Sequence, residues 1–181
     1  MKQTILFLLL VLPISMVFAQ NKLIARQGQV SFFSYTSVEN IEATNNQAFS
    51  LIDIDKKEVA ISILMRAFVF KKALMREHFN ESYIESDIFP KATFEGTIID
   101  FDTALPPSQT RIVKGTVSLH GVTKEKEIKT TIENNGGEMV LTGTFSMTVA
   151  DYKIKIPPIV AGNIAKTIEV TFRIQYAPYE K

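Results

Sequence analysis

The chain has 181 residues, a formal net charge of +1 and no cysteine. This length suffices for one domain with a substantial core. The missing cysteines exclude disulfides, thiolate metal sites and thiol catalysis. Because a nearly neutral chain lacks the strong positive field that attracts nucleic acids, we expect no nucleic-acid partner.

The N-terminus has the pattern of a signal peptide. Lys2 precedes an apolar run from Ile5 to Val17, and Ala19 is a small residue suited to cleavage. A membrane anchor is the alternative, but the run is shorter than the ~20 residues that span a bilayer, and a proline interrupts it. We therefore predict a cleaved signal peptide at 1–19, one domain at 20–181, and no integral membrane anchor. Such a signal directs the protein to the periplasm or out of the cell.

Alternating apolar residues in the first half of the chain predict four strands. These predicted strands are residues 29–35, 38–44, 48–54 and 58–70. Asn45–Asn46 is interpreted as the turn between the second and the third. The first strand has apolar residues on both faces, Val30 with Phe32 and Phe33 with Tyr35, so its inward face stays open.

One helix interrupts this series of strands. Phe70, Leu74 and His78 are spaced i, i+4 and i+8, which predicts an apolar helical face of about two turns. Pro90 disfavours helical geometry in the residue before it and begins an extended segment. The alternation from Phe94 to Ile98 then predicts a further strand.

The second half of the chain predicts a loop at 105–109 and several more strands. The strands are expected at residues 111–120, 127–133, 139–149 and from 168 onward. Asn134–Gly137 is a strong hairpin signal between two of them. The last strand has a purely apolar face opposite a polar one, formed by Ile168, Val170, Phe172, Ile174 and Tyr176. This pattern is typical of an antiparallel sheet with one solvated side.

About eight or nine such strands must bury their apolar faces together, either in a closed barrel or in a two-sheet sandwich. Periodicity does not distinguish these architectures. The difference matters for function, because a barrel of about eight strands can hold one small ligand in its lumen. A sandwich is usually filled by its own side chains.

Candidate catalytic and metal-binding groups are few. His78 and His120 are the only histidines, and their spacing is not that of a metal-ligand pair. The sequence contains no phosphate-binding glycine loop and no nucleophile motif. We predict no catalytic residue, no metal and no cofactor; if the protein were an enzyme, Arg66, His78 and His120 would be the candidates. His78 is interpreted as a residue that fixes the helix or contacts a ligand head group.

Three ordered motifs occur in the middle of the chain: Glu77–Phe79, Ser86–Phe94 and Gly115–Lys124. Together they resemble the YceI-like family of lipid- and polyisoprenoid-binding proteins, over nearly all of the mature chain. The resemblance implies an all-β fold, a single extended lipocalin-like antiparallel β-barrel of about eight strands with a short helix near one mouth. It also implies a periplasmic, non-enzymatic protein with an isoprenoid tail in the lumen.

The apolar faces then become candidate lipid contacts. We expect carriage or storage of an isoprenoid quinone or a polyprenyl lipid, and a homodimer is left open. The predicted lumen and mouth contacts are Phe32, Ile61, Ile63, Met65, Leu74, Phe79, Phe94, Ile98, Val117, Leu119, Leu141, Phe145, Met147, Val170, Phe172 and Ile174. Leu74, Met75 and Phe79 are expected to cover one mouth, and Ile159–Val160 to line a rim. The alternative is a ligand-free structural or stress-related interaction module whose core the same side chains fill.

Overall fold

The computed structural model describes residues 21–36, 39–135, 138–157 and 164–179. Strands account for most of these residues. They are β1 Lys22–Ser34, β2 Ile41–Asp53, β3 Glu58–Leu64, β4 Val69–Phe70, β5 Lys91–Ile98, β6 Ser108–Leu119, β7 Val122–Asn135, β8 Glu138–Thr148 and β9 Thr167–Pro178. A short helix, α1, spans Ala73–His78. None of the helices in the described ranges is long and apolar enough to cross a membrane.

Eight of the described strands close into an up-and-down antiparallel barrel. Around the ring each strand pairs with its neighbour in the chain, β3 pairs with β5, and β9 returns to pair with β1. The short β4 lies outside this ring and pairs only with β2. The fold is therefore the predicted lipocalin-like barrel, and the sandwich that periodicity left open is excluded.

The β6–β7 connection is a two-residue turn at His120–Gly121. Both residues have positive φ, 50° and 72°, as a type I′ turn requires. A Cβ atom on Gly121 would lie 2.9 Å from the Phe89 ring, so glycine is also favoured by space. This turn lets β7 begin at Val122 and pair with every residue of β6, whereas the sequence predicted the start of β7 at residue 127.

The predicted turn at Asn45–Asn46 is wrong, because one continuous strand, β2, runs through it. Asn45 is fully buried, and its side-chain amide donates a hydrogen bond of 2.8 Å to the Leu64 carbonyl at the end of β3. The side-chain oxygen Oδ1 of Asn45 accepts a 2.7 Å hydrogen bond from the backbone N–H of Gln47. The asparagine side chain satisfies backbone groups where the β2–β3 ladder ends. Asparagine bonds backbone groups in turns as well, so the sequence alone does not distinguish the two roles.

The predicted strand at 58–70 divides into several pieces. β3 ends at Leu64, a 3-10 turn follows at Met65–Ala67, and β4 then crosses to β2. The helix occurs where it was expected, and a π-helical turn at Phe79–Tyr83 extends it. Neither helical piece contains a fully buried residue, although Phe79 packs against the core. This segment therefore lies over one end of the barrel instead of inside it.

The inward face of β1, which the sequence left open, carries Val30 and Phe32. Val30 is buried and Phe32 packs against the core, whereas Phe33 and Tyr35 are exposed on the outer wall. β1 also has two register shifts against β2, on either side of Gly28. Such irregularities bend a strand and help a sheet to close on itself.

The barrel end opposite α1 is tightly filled. Its fully buried side chains include Ile52, Ile98, Ile132 and Ile174. The hydroxyl of Tyr176 lies 2.6 Å from the Ser50 hydroxyl, which donates to the Ala60 carbonyl at 2.8 Å. Tyr176 must then be the donor to Ser50, so its proton is held in the protein interior.

Tyr176 makes the stability of the barrel sensitive to alkaline pH. Burial raises the pKa of Tyr176 well above its ordinary value of about 10, so the hydroxyl stays protonated in the folded state. Its contribution is fully present below pH ~10 and is lost at higher pH, where the unfolded state ionises. We expect an extra loss of about 1.4 kcal/mol per pH unit above pH ~10, measured by urea unfolding. Tyr176→Phe should remove this extra loss of about 1.4 kcal/mol per pH unit, which corresponds to one proton. Tyr35→Phe, which changes an exposed tyrosine, should leave the slope unchanged. Equal slopes in all three proteins would contradict the prediction.

Candidate ligand-binding cavity

An apolar cavity of about 510 Å³ occupies the half of the barrel next to α1. Along β6 its wall runs from Val113 to Leu119, which is about 20 Å of strand at ~3.3 Å per residue. Its volume lies within the ~300–1,000 Å³ range of small-molecule sites. A lumen of this shape suits an elongated apolar ligand that enters from one end.

Most of the predicted lumen residues line this cavity. The fourteen that do so are Phe32, Ile61, Ile63, Met65, Leu74, Phe79, Phe94, Val117, Leu119, Leu141, Phe145, Met147, Val170 and Phe172. Ile98 and Ile174 are buried but do not line this cavity. They are 1% and 0% exposed and belong to the filled end, where side chains from opposite strands meet. That the fourteen contact a lipid stays a prediction.

Four phenylalanine rings form a cluster at the mouth of the cavity. Phe32, Phe68, Phe70 and Phe79 come from β1, the turn after β3, β4 and the π-helical turn, and all four line the cavity. Neighbouring ring centroids lie 5.0–5.9 Å apart, in stacked, tilted and edge-on arrangements. Such pairs are favourable beyond the apolar area that they bury. The phenylalanine cluster therefore fastens the α1 segment to the barrel.

α1 places Leu74, Met75 and His78 at the mouth, as the sequence predicted for the first two. The His78 side chain is exposed at this mouth. Ile156 and Ile164, between β8 and β9 in the chain, also line the cavity. The predicted rim at Ile159–Val160 lies outside the described residues. The mouth is thus lined by apolar side chains from two separate parts of the chain.

A glycine on β8 keeps the lumen open. Gly143 pairs with Phe172 on β9, and a Cβ atom at Gly143 would lie 2.5 Å from the tip of the Phe172 ring. The ring therefore lies against the barrel wall over the glycine, and any larger residue would push it toward the cavity. The alternating pattern of β8 placed Gly143 on the inward face, but its pairing with Phe172 was not predictable from local sequence.

The candidate catalytic residues do not converge in the cavity. Arg66 pairs with Asp87 on the outside of the barrel, with its side chain 62% exposed. His120 is bound on both ring nitrogens, Nδ1 to the Tyr152 carbonyl at 3.0 Å and Nε2 to the Glu85 carboxylate at 2.9 Å. His120 thus ties the β6–β7 turn to two loops and has a structural role. Of the three candidates, His78 alone lines the cavity.

The polar groups in the cavity wall are few, and several are already bonded. The Thr130 hydroxyl donates to the Arg111 carbonyl at 3.2 Å, and the Ser34 hydroxyl accepts from the Ala165 amide at 3.1 Å. Within the described ranges, no three His, Asp or Glu side chains lie close enough together to hold a metal ion. The chemistry that the cavity offers is apolar contact.

Comparison with known families agrees with this geometry. The family model for the YceI-like domain matches residues 22–176, which include all nine described strands except the last two residues of β9. The chain belongs to the YceI-like family. No curated protein sequence matches it significantly.

Solved structures share the YceI-like barrel at low sequence identity. A polyisoprenoid binding domain from Saccharophagus degradans, implicated in plant cell wall breakdown, superposes with a TM-score of 0.75 at 15% identity, covering 88% of this chain and 99% of that domain. Burkholderia cenocepacia BcnA gives 0.70 at 15% identity, with coverage of 82% and 95%. The YceI protein of Campylobacter jejuni gives 0.65 at 12% identity, with coverage of 81% and 90%. These likenesses extend over the whole barrel and show its fold.

Proposed function

We propose that this YceI-like barrel is a non-enzymatic lipid-binding protein that holds the tail of a polyisoprenoid, such as an isoprenoid quinone or a polyprenyl lipid, for carriage or storage. The observation that carries the proposal is the apolar cavity of about 510 Å³ that opens beneath the phenylalanine cluster. Polyisoprenoid binding is also the property for which the structurally similar Saccharophagus domain is named.

The energetics of apolar burial favour a chain-like ligand. Each buried CH₂ group contributes ~0.8 kcal/mol, so one five-carbon isoprene unit is worth roughly 3–4 kcal/mol. A few units are therefore enough to offset an association cost of ~4–15 kcal/mol. Met65 and Met147 in the wall can adapt to a flexible tail, because unbranched thioether side chains change rotamer readily.

A ligand-free interaction module is the weaker interpretation. It needs inward side chains that meet across the barrel, as they do at the filled end around Ile98 and Ile174. In the other half, Ile61, Val117 and Val170 face open space instead. Two halves so differently packed favour a protein whose lumen is adapted to a ligand.

The same proposal places the protein in the periplasm. The apolar N-terminal run ending at Ala19 supports a signal peptide at 1–19 that is removed on export, leaving the barrel domain at 20–181. N-terminal sequencing of the protein purified from the periplasm should begin at Gln20. Retention of Met1 in the membrane fraction would contradict export by cleavage.

Lipid extraction tests the ligand directly. The protein is purified without detergent, denatured and extracted with organic solvent, and the extract is analysed by mass spectrometry. We expect an isoprenoid in stoichiometric amount. An unrelated exported barrel prepared identically shows the background of host-cell lipid, which is subtracted. Extracts without any isoprenoid, from protein that is folded and has never met detergent, would contradict the proposal.

A further inference from the structure

The four most exposed large apolar side chains in the described ranges all lie at the mouth end of the barrel. Val69, Ile88 and Leu74 are 67%, 66% and 59% exposed, and Tyr35 directly follows the cavity-lining Ser34. Leu74 also lines the cavity, so the outer apolar surface and the cavity wall are continuous. Exposed apolar groups that are rimmed by polar residues mark sites of protein or membrane interaction.

Residues Val69–Arg76, here called the rim segment, combine this apolar surface with positive charge. The segment contains three cations, Lys71, Lys72 and Arg76, and no carboxylate. Phe70, Leu74 and Met75 line the cavity, whereas Val69 and the three cations do not. Phe70, Leu74 and Met75 therefore face the lumen. Val69 and the three cations lie on the outside of the mouth.

The two lysines have only weak partners in the barrel. Lys71 lies 3.2 Å from the Glu42 carboxylate and Lys72 lies 2.6 Å from that of Glu39, and all four side chains are about half exposed or more. Exposed ion pairs of this kind add little to stability, so either lysine can exchange its carboxylate for a phosphate at small cost. Lysine stems can also lie along an apolar surface while the ammonium groups reach polar head groups.

We propose that the rim segment docks the mouth of the barrel onto an anionic phospholipid surface, an inference that rests on the proposed function. An apolar ligand that leaves a bilayer for the cavity through a docked mouth never meets water, so the hydrophobic penalty of its transfer is avoided. Apolar residues combined with lysine and arginine are characteristic of segments that lie in a membrane interface. The cations of the rim segment complement lipid phosphates once the two lysines exchange their carboxylates, which favours a membrane over an uncharged apolar partner.

Vesicle co-sedimentation tests the docking. The probe is a vesicle of phosphatidylglycerol and phosphatidylethanolamine in equal parts, compared with one of phosphatidylcholine alone. The test variant is Val69→Ser, Lys71→Gln, Lys72→Gln, which changes no cavity-lining residue. We expect the wild type to bind the anionic vesicles, and the variant to bind them at least roughly ten-fold more weakly, because each lysine near an anionic surface contributes several-fold in affinity.

The matched control carries the same three changes on the outer wall: Ile112→Ser, Lys114→Gln, Lys129→Gln. Ile112 and Lys129 are register partners on β6 and β7, and all three side chains are exposed. The control should bind anionic vesicles within about two-fold of the wild type, because its changes lie on the outer wall of β6 and β7, away from the rim segment. Since the two variants have the same net charge, a difference between them is not a general charge effect. Equal losses in both variants would overturn a specific docking surface and indicate a general charge effect.

Two further readouts separate the docking from the carrier function. Wild-type protein that contains isoprenoid after extraction but binds neither vesicle overturns the docking and leaves the carrier function intact. Protein that contains no isoprenoid overturns the carrier function. It also overturns the docking as the step in which lipid enters the cavity. A dimer in gel filtration that only the test variant loses would assign the rim segment to a contact between copies of the chain and overturn the docking.

Discussion

Replacing Ile61 by tryptophan is expected to empty the barrel of lipid. Ile61 lies on β3 in register with Phe94, and both side chains line the cavity. An indole at this position occupies space in the cavity proposed to hold the tail, and every isoprene unit it displaces removes roughly 3–4 kcal/mol of burial. We expect Ile61→Trp to retain at least about ten-fold less isoprenoid per protein, measured by mass spectrometry of solvent extracts.

Ala60→Trp is the matched control for this experiment. Ala60 is the neighbouring residue on β3 and faces solvent, so the same side chain is added to the outer wall. Both variants should melt cooperatively, because strand positions accept aromatic residues well. Lipid retention that is unchanged in a folded Ile61→Trp protein would show that the tail does not occupy this cavity.

Gly115→Ala is expected to have the largest effect on stability. Gly115 on β6 pairs with Gly96 on β5. A Cβ atom at Gly115 would lie 2.1 Å from the Glu95 carbonyl oxygen and 2.5 Å from the Gly96 Cα atom. These are backbone atoms within the strand ladder, so they cannot move aside without breaking hydrogen bonds. We expect a loss of about 3 kcal/mol in the free energy of unfolding, measured with urea.

Thr116→Ala provides the comparison for Gly115→Ala. It changes the adjacent residue on the same strand without a new close contact, and substitutions of this kind alter strand stability by less than ~1 kcal/mol. A Gly115→Ala protein as stable as this control would mean that β5 and β6 can separate without cost. The close backbone approach at Gly115 would then not require glycine.

Side-chain alternation was sufficient to predict the wall of the barrel. β9 shows this most clearly, because Val170, Phe172 and Tyr176 are all buried while Thr171 and Arg173 between them are exposed. In a strand the side chains point alternately to the two faces, so a two-residue period is a local property and can be read without knowing the partners. The i, i+4 spacing located the helix for the same reason.

Long-range partners decided the details that sequence reading missed. Asn45 looked like a turn residue, but its amide bonds Leu64, 19 positions away. His120 looked like a candidate catalytic group, but its acceptors belong to Glu85 and Tyr152, 35 and 32 positions away. Since a polar side chain has the same identity in a turn, a network or an active site, its role depends on which groups the fold brings to it.

By itself, the sequence determined an all-β chain of one-sided strands with a single short helix, because these properties follow from neighbouring residues. Only the tertiary structure decided that the lumen is hollow near α1 and filled near Ile98 and Ile174. An inward apolar residue gives the same alternating sequence pattern whether its side chain packs against another side chain or faces a void. The difference arises from ring closure and from contacts such as that of Gly143 with Phe172, which set where side chains from opposite walls can meet.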